Sequence, residues 1–292
     1  MEIGKIGIWS FLDMLPAAEA QEVAREIEDL GFSALWIPEA VGREVFTSSG
    51  ILLAGTKNLV VATGIANVWA RDAMAMANAQ RTLCEAYPGR FLLGMGVSHA
   101  PMVDTIRGHD YRKPLTYMRN YLDAMDRAVF AGTPPSEEPR RVLAALHPKM
   151  LELARERSWG SHPYFVPPEH TARARAALGD TSFLAPEQAV VLETDPDRAR
   201  AIGRGHMAMY LGLPNYRNNL LTLGFEAADF ENGGSDRLVD GVVAWGDIDA
   251  IQERIQGHLD AGADHVCLQA LEERITDVPR AQWRVLAREL LA

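Results

Sequence analysis

Two short polar pairs stand where this chain could place chemistry: Ala66-Asn67 and Ser98-His99, each closing an apolar run. The runs are Leu59-Val60-Val61-Ala62-Thr63-Gly64-Ile65 and Arg90-Phe91-Leu92-Leu93-Gly94-Met95-Gly96-Val97. Histidine titrates near neutrality, so His99 could carry a proton in either direction. An asparagine amide both donates and accepts, although in a turn it commonly bonds its own backbone. Glu39 closes a third run, Ala34-Leu35-Trp36-Ile37-Pro38. A carboxylate held rigidly behind a proline can have a raised pKa and act as acid or base. Glu39 and His99 are therefore the candidate catalytic residues. The bland alternatives are a solvated glutamate before a loop and a satisfied surface histidine.

Other chemistries find less support. Ser161-His162-Pro163-Tyr164 could be a fragment of a metal site, but no His-x-His follows the first strand and no acid cluster accompanies it. No metal is expected. Gly-x-Ser-x-Gly is absent, so a nucleophile elbow has no basis. Gly94-x-Gly96 has His99 where a dinucleotide fingerprint needs its third glycine, and it lies far along the chain. Trp9, Trp36 and Trp69 fall at or near strand ends. Trp36 reads as core, while Trp9 and Trp69 could wall a planar ligand.

The elements that must position these residues follow from hydrophobic spacing. Each apolar run is short, continuous and rich in branched residues, as in strands buried on both faces of a parallel sheet. Between two of them, 72–87 reads as a helix with Ala73, Met76, Ala77, Gln80, Leu83 and Cys84 on one face. Strand, helix and strand make a right-handed crossover, and ligands gather at the C-terminal ends of such strands. The pattern repeats along the chain. Strands are expected at 5–9, 34–38, 59–67, 90–99, 141–146, 161–166, 189–193 and 265–269. Gly31 and Gly262 stop helices, and Asp195-Pro196 opens one. Residues 211–246 are irregular and partly helical, show no clear period and read as an insertion over the mouth. The expected fold is α/β, a (β/α)8 TIM barrel with insertions at its C-terminal face, formed as one domain by residues 1–292.

At 292 residues and 48% hydrophobic, the chain can bury a large core. A net charge of −10 argues against nucleic acid or an anionic membrane as the main partner. Cys84 and Cys267 form no motif and read as reduced, buried thiols, which suggests a cytoplasmic protein. No signal peptide is read at Met1, and no apolar run approaches the length of a membrane span.

Several segments, in order, resemble the bacterial luciferase-like monooxygenase superfamily, and most of all its coenzyme F420-dependent branch. They are Ala24-Arg25-Glu26-Ile27-Glu28-Asp29-Leu30-Gly31-Phe32, Ala62-Thr63-Gly64-Ile65-Ala66-Asn67, Gly89-Arg90-Phe91-Leu92-Leu93-Gly94-Met95-Gly96, Pro148-Lys149-Met150-Leu151-Glu152-Leu153-Ala154, His162-Pro163-Tyr164 and Ala261-Gly262-Ala263-Asp264. The resemblance implies a deazaflavin, or FMN as the alternative, lying across the strand ends. It implies a non-proline cis peptide after the third strand, here at Ala66-Asn67. It also implies a phosphate held at a helix N-terminus by Leu146, His147 and Met150, and by His162, Pro163 and Tyr164. With the strand-end residues Ala66, Asn67, Trp69 and Ser98, and with Lys149 for charge, these form the expected cofactor site.

The chain departs from the family pattern twice. His147 stands where glycine often precedes the proline, and Trp159-Gly160 stands where Asp-Gly is common. The implied function is hydride transfer between the deazaflavin and a small organic substrate, in a homodimer. An FMN-dependent monooxygenase and a non-catalytic ligand-binding barrel are the alternatives. Because the cofactor is anionic and the protein is too, a local basic patch is expected from Arg43, Arg71, Arg107, Arg112, Lys113 and Lys149.

Overall fold

The computed structural model describes residues 1–274 and 276–291. The staves of a barrel alternate with helices: β1 (Ile6–Trp9), α1 (Ala17–Asp29), β2 (Ala34–Ile37), α2 (Val45–Gly55), β3 (Val60–Thr63), β4 (Ala66–Asn67), α3 (Ala73–Ala86), β5 (Phe91–Gly96) and α4 (Pro114–Asp126). Then follow β6 (Arg141–Leu143), α5 (Pro148–Arg157), β7 (Gly160–Ser161), α6 (Pro168–Leu178), β8 (Phe183–Leu184), β9 (Glu187–Val191) and α7 (Pro196–Met207). The chain ends with α8 (Pro214–Thr222), α9 (Asp236–Val242), β10 (Val243–Trp245), α10 (Ile248–Asp260), β11 (Val266–Ala270) and α11 (Arg280–Leu290).

Strand pairing is parallel throughout the described residues, running β11-β1-β2-β3-β5-β6-β7-β8. The ring closes through β8 and β9, which are one stave interrupted at Ala185-Pro186. On one side of that stave Ala185 N–H donates to Ser161 and Glu187 N–H donates to Pro163. On the other, Asp264 N–H donates to Leu184 and Cys267 N–H donates to Pro186. Eight staves with helices outside give the barrel that the alternating apolar runs predict. Trp9, Trp36, Ala62, Leu92, Val142, Phe183 and Cys267 fill its interior, while a larger cluster packs helices onto its outer face.

The stave after α5 is shorter than its apolar run suggests. It holds strand geometry only at Gly160–Ser161, and the chain turns away at Phe165 with a left-handed φ of 60°. β10 then takes the vacated place beside β9, pairing Val243 with Ala189. Residues 211–246 hold α8, a 3-10 segment (Ala227–Gly233) and α9, which lead into this strand of the sheet. Asp195 caps α7 as expected, accepting from Arg198 N–H. No helix among the described residues is long and apolar enough to cross a membrane.

Candidate functional site at the C-terminal mouth of the barrel

The mouth is organised by a backbone ledge after β3. Gly64 N–H donates to Ile37 O, and Glu39 N–H donates to Ile65 O, so the ledge is tied to the end of β2. The cis peptide lies at Gly64-Ile65, not at Ala66-Asn67, where the trans chain instead resumes pairing with β5 as β4. The ledge explains the two glycines of β5. A Cβ on Gly94 would sit 2.0 Å from Thr63 O, and one on Gly96 would meet Ile65 and Ala144 at 3.0 Å. Gly94-x-Gly96 is a close backbone approach and has no phosphate role.

Glu39 is 9% exposed, and its carboxylate is filled by donors. Asn67 N–H reaches Oε2 at 2.8 Å, Val45 N–H reaches Oε1 at 3.4 Å, and the Arg71 guanidinium binds both oxygens. Arg71 also bridges to Glu44 at 2.8 Å. Through Asn67 N–H and the Arg71 guanidinium, Glu39 holds the ledge in place. Asn67 is fully buried; its Oδ1 accepts from Trp69 N–H at 2.9 Å, the self-bonding turn. That leaves its Nδ2 buried without a partner.

The tryptophans are more covered than walls of a ligand site would be. Trp9 is 3% exposed and donates to Gly64 O at 3.0 Å. Trp69 stacks face to face on Tyr117 with centroids 3.7 Å apart, and its indole N–H binds Val97 O. Trp9 nonetheless touches the ledge itself.

Ser98 and His99 leave β5 as expected. Ser98 adopts a left-handed φ of 57°, with its carbonyl held by the Tyr111 hydroxyl at 3.1 Å. The His99 ring lies 5.0 Å from that of Tyr216, and burial lowers its pKa to about 4. Its imidazole is therefore neutral at physiological pH and can accept a proton.

The head of α5 forms the second part of the site. Its first-turn carbonyl, His147 O, takes both Met150 N–H and Leu151 N–H. The N–H groups of Ala145, Leu146, His147 and Lys149 have no hydrogen-bond partner among the described residues. Four free donors on the loop that leads into a helix N-terminus, with the exposed Lys149 side chain beside them, suit a phosphate. His147 is the half-buried N-cap residue of α5 and makes no side-chain cap hydrogen bond.

His162, Pro163 and Tyr164 sit elsewhere. His162 is 1% exposed, stacks on Trp36 at 4.3 Å and binds Ala185 O through Nδ1 at 2.7 Å. Its Nε2 lies beneath the ledge, 2.9 Å from where a Gly64 Cβ would stand. This residue packs beneath the ledge from inside the barrel, and its backbone N–H donates to Leu143 O at 3.0 Å. Pro163 presents its carbonyl to Glu187 N–H. The Tyr164 hydroxyl joins Tyr210 and Gln269, each at 2.8 Å.

Residues that sequence reasoning missed lie here. Glu187 is 1% exposed; its Oε2 accepts Phe165 N–H at 3.1 Å, fixing the left-handed turn, and its Oε1 has no partner. Burial raises its pKa to about 8, although the Phe165 N–H pulls the other way. An acid at the head of the apolar run Ala189-Val190-Val191 was a readable signal. Tyr210 and Tyr216, each 8% exposed, pack over it with Phe165. Tyr216 comes from the stretch where no period was visible, and Tyr210 stands just before it.

The expected basic patch shrinks. Arg43 donates to Leu15 O, Arg107 to Ala40 O, Arg112 pairs with Asp110, and Arg71 serves Glu39 and Glu44. Only Lys113 and Lys149 of the six have no partner among the described residues.

Comparison with known proteins identifies the family. The family model for the luciferase-like monooxygenase matches residues 8–265. The chain belongs to the luciferase-like monooxygenase family. It is 28% identical over 258 residues to a putative coenzyme F420-dependent oxidoreductase of Mycobacterium tuberculosis, covering 73% of each protein. It is 28% identical over 175 residues to a 5,10-methylenetetrahydromethanopterin reductase of Methanolobus tindarius, covering 52% of this chain and 53% of that protein. Among solved structures, an F420-dependent secondary alcohol dehydrogenase with an F420-acetone adduct superposes with a TM-score of 0.77 at 16% identity, over 98% of both chains. An FMN-containing Baeyer-Villiger monooxygenase component of Pseudomonas putida superposes at 0.72 and 17% identity, over 98% of this chain and 97% of that one. At such identities the structures establish the fold of this family member.

Proposed function

We propose that the protein is a coenzyme F420-dependent oxidoreductase that moves a hydride between the deazaflavin and a small organic substrate. The observation that carries this reading is the cradle of free N–H groups at Ala145, Leu146, His147 and Lys149, beside the Gly64-Ile65 ledge. It accounts for a cofactor with a phosphate and a flat ring. The F420-dependent relative that matches 73% of the chain favours the deazaflavin over FMN. When bound, that group supplies a two-electron hydride carrier that reacts poorly with oxygen.

The chain's own residues do the remaining work. The Glu39–Arg71–Asn67 cluster fixes the ledge against which a ring would rest. The head of α5 and Lys149 hold the phosphate. His99, neutral because it is buried, accepts the proton that a carbinol releases as its hydride departs, and returns that proton in the reverse direction. Tyr216 limits water at His99 by packing against it.

FMN is the second reading, because the cradle would serve its phosphate equally well and an FMN protein shares the fold. Titration with each cofactor, followed by tryptophan fluorescence, separates the readings. F420 should quench Trp9, the indole bonded to the ledge, at lower concentration than FMN does. Tighter FMN binding with oxygen uptake by the reduced complex favours the monooxygenase, and quenching by neither leaves a barrel without flavin. The same reading carries a homodimer. Exposed Met74 on α3 and Val129, whose carbonyl Asn78 holds, offer apolar contact there, and sedimentation as a monomer at micromolar concentration would refute it.

A further inference from the structure

We propose that His170 is a positioning residue for the anion-binding loop, an inference that rests on the cofactor reading above. His170 lies in the first turn of α6, is 1% exposed, and has its Nε2 2.9 Å from Leu146 O. A carbonyl only accepts, so Nε2 carries the hydrogen and Nδ1 is the bare nitrogen, which is buried without a partner. Leu146 O belongs to the same peptide group as His147 N–H, one of the free donors of the cradle. In a planar trans peptide those two groups point in opposite directions. Holding the oxygen toward α6 therefore aims the His147 N–H away from α6, on the side open to a ligand. His170 is in this way the back-stop of a donor that it never touches.

The back-stop is itself anchored. The next residue, Thr171, bonds His258 Nδ1 at 2.8 Å, and His258 Nε2 bonds Gln188 Oε1 at 2.9 Å. The Gln188 amide nitrogen is occupied by Ala189 O and Val242 O, which leaves its oxygen as the acceptor. Hence His258 donates from Nε2, and Thr171 donates to Nδ1. This one-way chain fixes α6 against β9 and α10, so His170 has a rigid base from which to hold the loop.

The test reads the ratio of affinities for FMN and riboflavin, which differ by one phosphate, with F420 as a second phosphate ligand. Intact protein, His170→Ala and His170→Gln are titrated by fluorescence, and circular dichroism checks the fold. His170→Ala should weaken FMN and F420 about tenfold, as loss of one hydrogen bond that orders the loop implies, and leave riboflavin within about twofold. His170→Gln, whose Nε2 can reach the same carbonyl, should restore the wild-type ratio. If the alanine variant does not fold, His170→Asn replaces it, since its shorter amide cannot reach Leu146 O and should lower the ratio likewise. Equal weakening of all three ligands, or no change in the ratio, overturns the positioning role. An intact protein that binds FMN and riboflavin equally overturns the phosphate cradle itself.

Discussion

The two sides of the barrel mouth are built by opposite means. On the side of β2, β3 and β5, charge is brought into the interior and fully matched: Glu39 accepts from two backbone amides and a guanidinium, and Arg71 is shared with Glu44. On the side of β7, β9 and α8, shape is set by packed aromatic rings, and two titratable groups among them each keep an unpaired atom. Glu187 keeps one bare oxygen, and His206 keeps a bare Nε2. Matched charge specifies a rigid geometry through directional bonds, as a cofactor platform requires. Packed rings exclude water and can rearrange without breaking a salt bridge, as a substrate cover requires.

Breaking the matched side should have the largest effect. Arg71→Met leaves the Glu39 carboxylate buried without its cation and should destabilise the protein by about 3–5 kcal/mol in denaturant unfolding. A loss below about 1 kcal/mol would mean that the ledge does not depend on this pair. The next effect belongs to the boundary between the two sides, where His99 meets Tyr216. His99→Asn should lower turnover on the order of a hundredfold with little change in cofactor affinity. The wild-type rate should hold as pH falls through the usual histidine range and drop only near pH 4, because burial has moved the titration there.

The aromatic side should respond in the opposite sense. The folded-state pKa of Glu187 is raised to about 8, so its contribution to stability is fully present below the carboxylate's ordinary pKa of 4.5 and declines as pH rises toward 8. Glu187→Gln removes that decline. The variant should gain on the wild type by about 1.4 kcal/mol per pH unit between the two values, several kcal/mol in all by pH 8, in thermal or chemical melts. A pH-independent difference would show that Glu187 is ionised in the fold. The smallest effect concerns the exposed lysine at the cradle. Lys149→Ala should weaken F420 binding about two- to fivefold at low salt and scarcely at high salt, since it is a solvent-screened charge.

Legibility in the sequence followed the same division. Strands announced themselves as continuous apolar runs, and strand ends drew notice to Glu39, Asn67 and His99 because a parallel barrel gathers ligands there. The pairing of Glu39 with Arg71 was not readable, because 32 residues separate partners that only the β2–β3 register brings together. The cis bond was placed two residues too late, since local sequence does not say where pairing with β5 resumes. Glu187 and His170 left traces, an acid heading a buried strand and a histidine inside a helix start, but their burial is a tertiary fact. Tyr216 lay in a segment whose helices are too short to reveal a period, and Tyr210 in the link that leads to it.

The central claim is that one cofactor spans the ledge and the head of α5. The most direct test is a crystal structure of the protein grown with F420. The account predicts the deazaflavin ring against Ile65 and its phosphate within hydrogen-bond distance of the N–H groups of Ala145, Leu146, His147 and Lys149. A phosphate bound away from the head of α5, or a ring seated off the ledge, would contradict it.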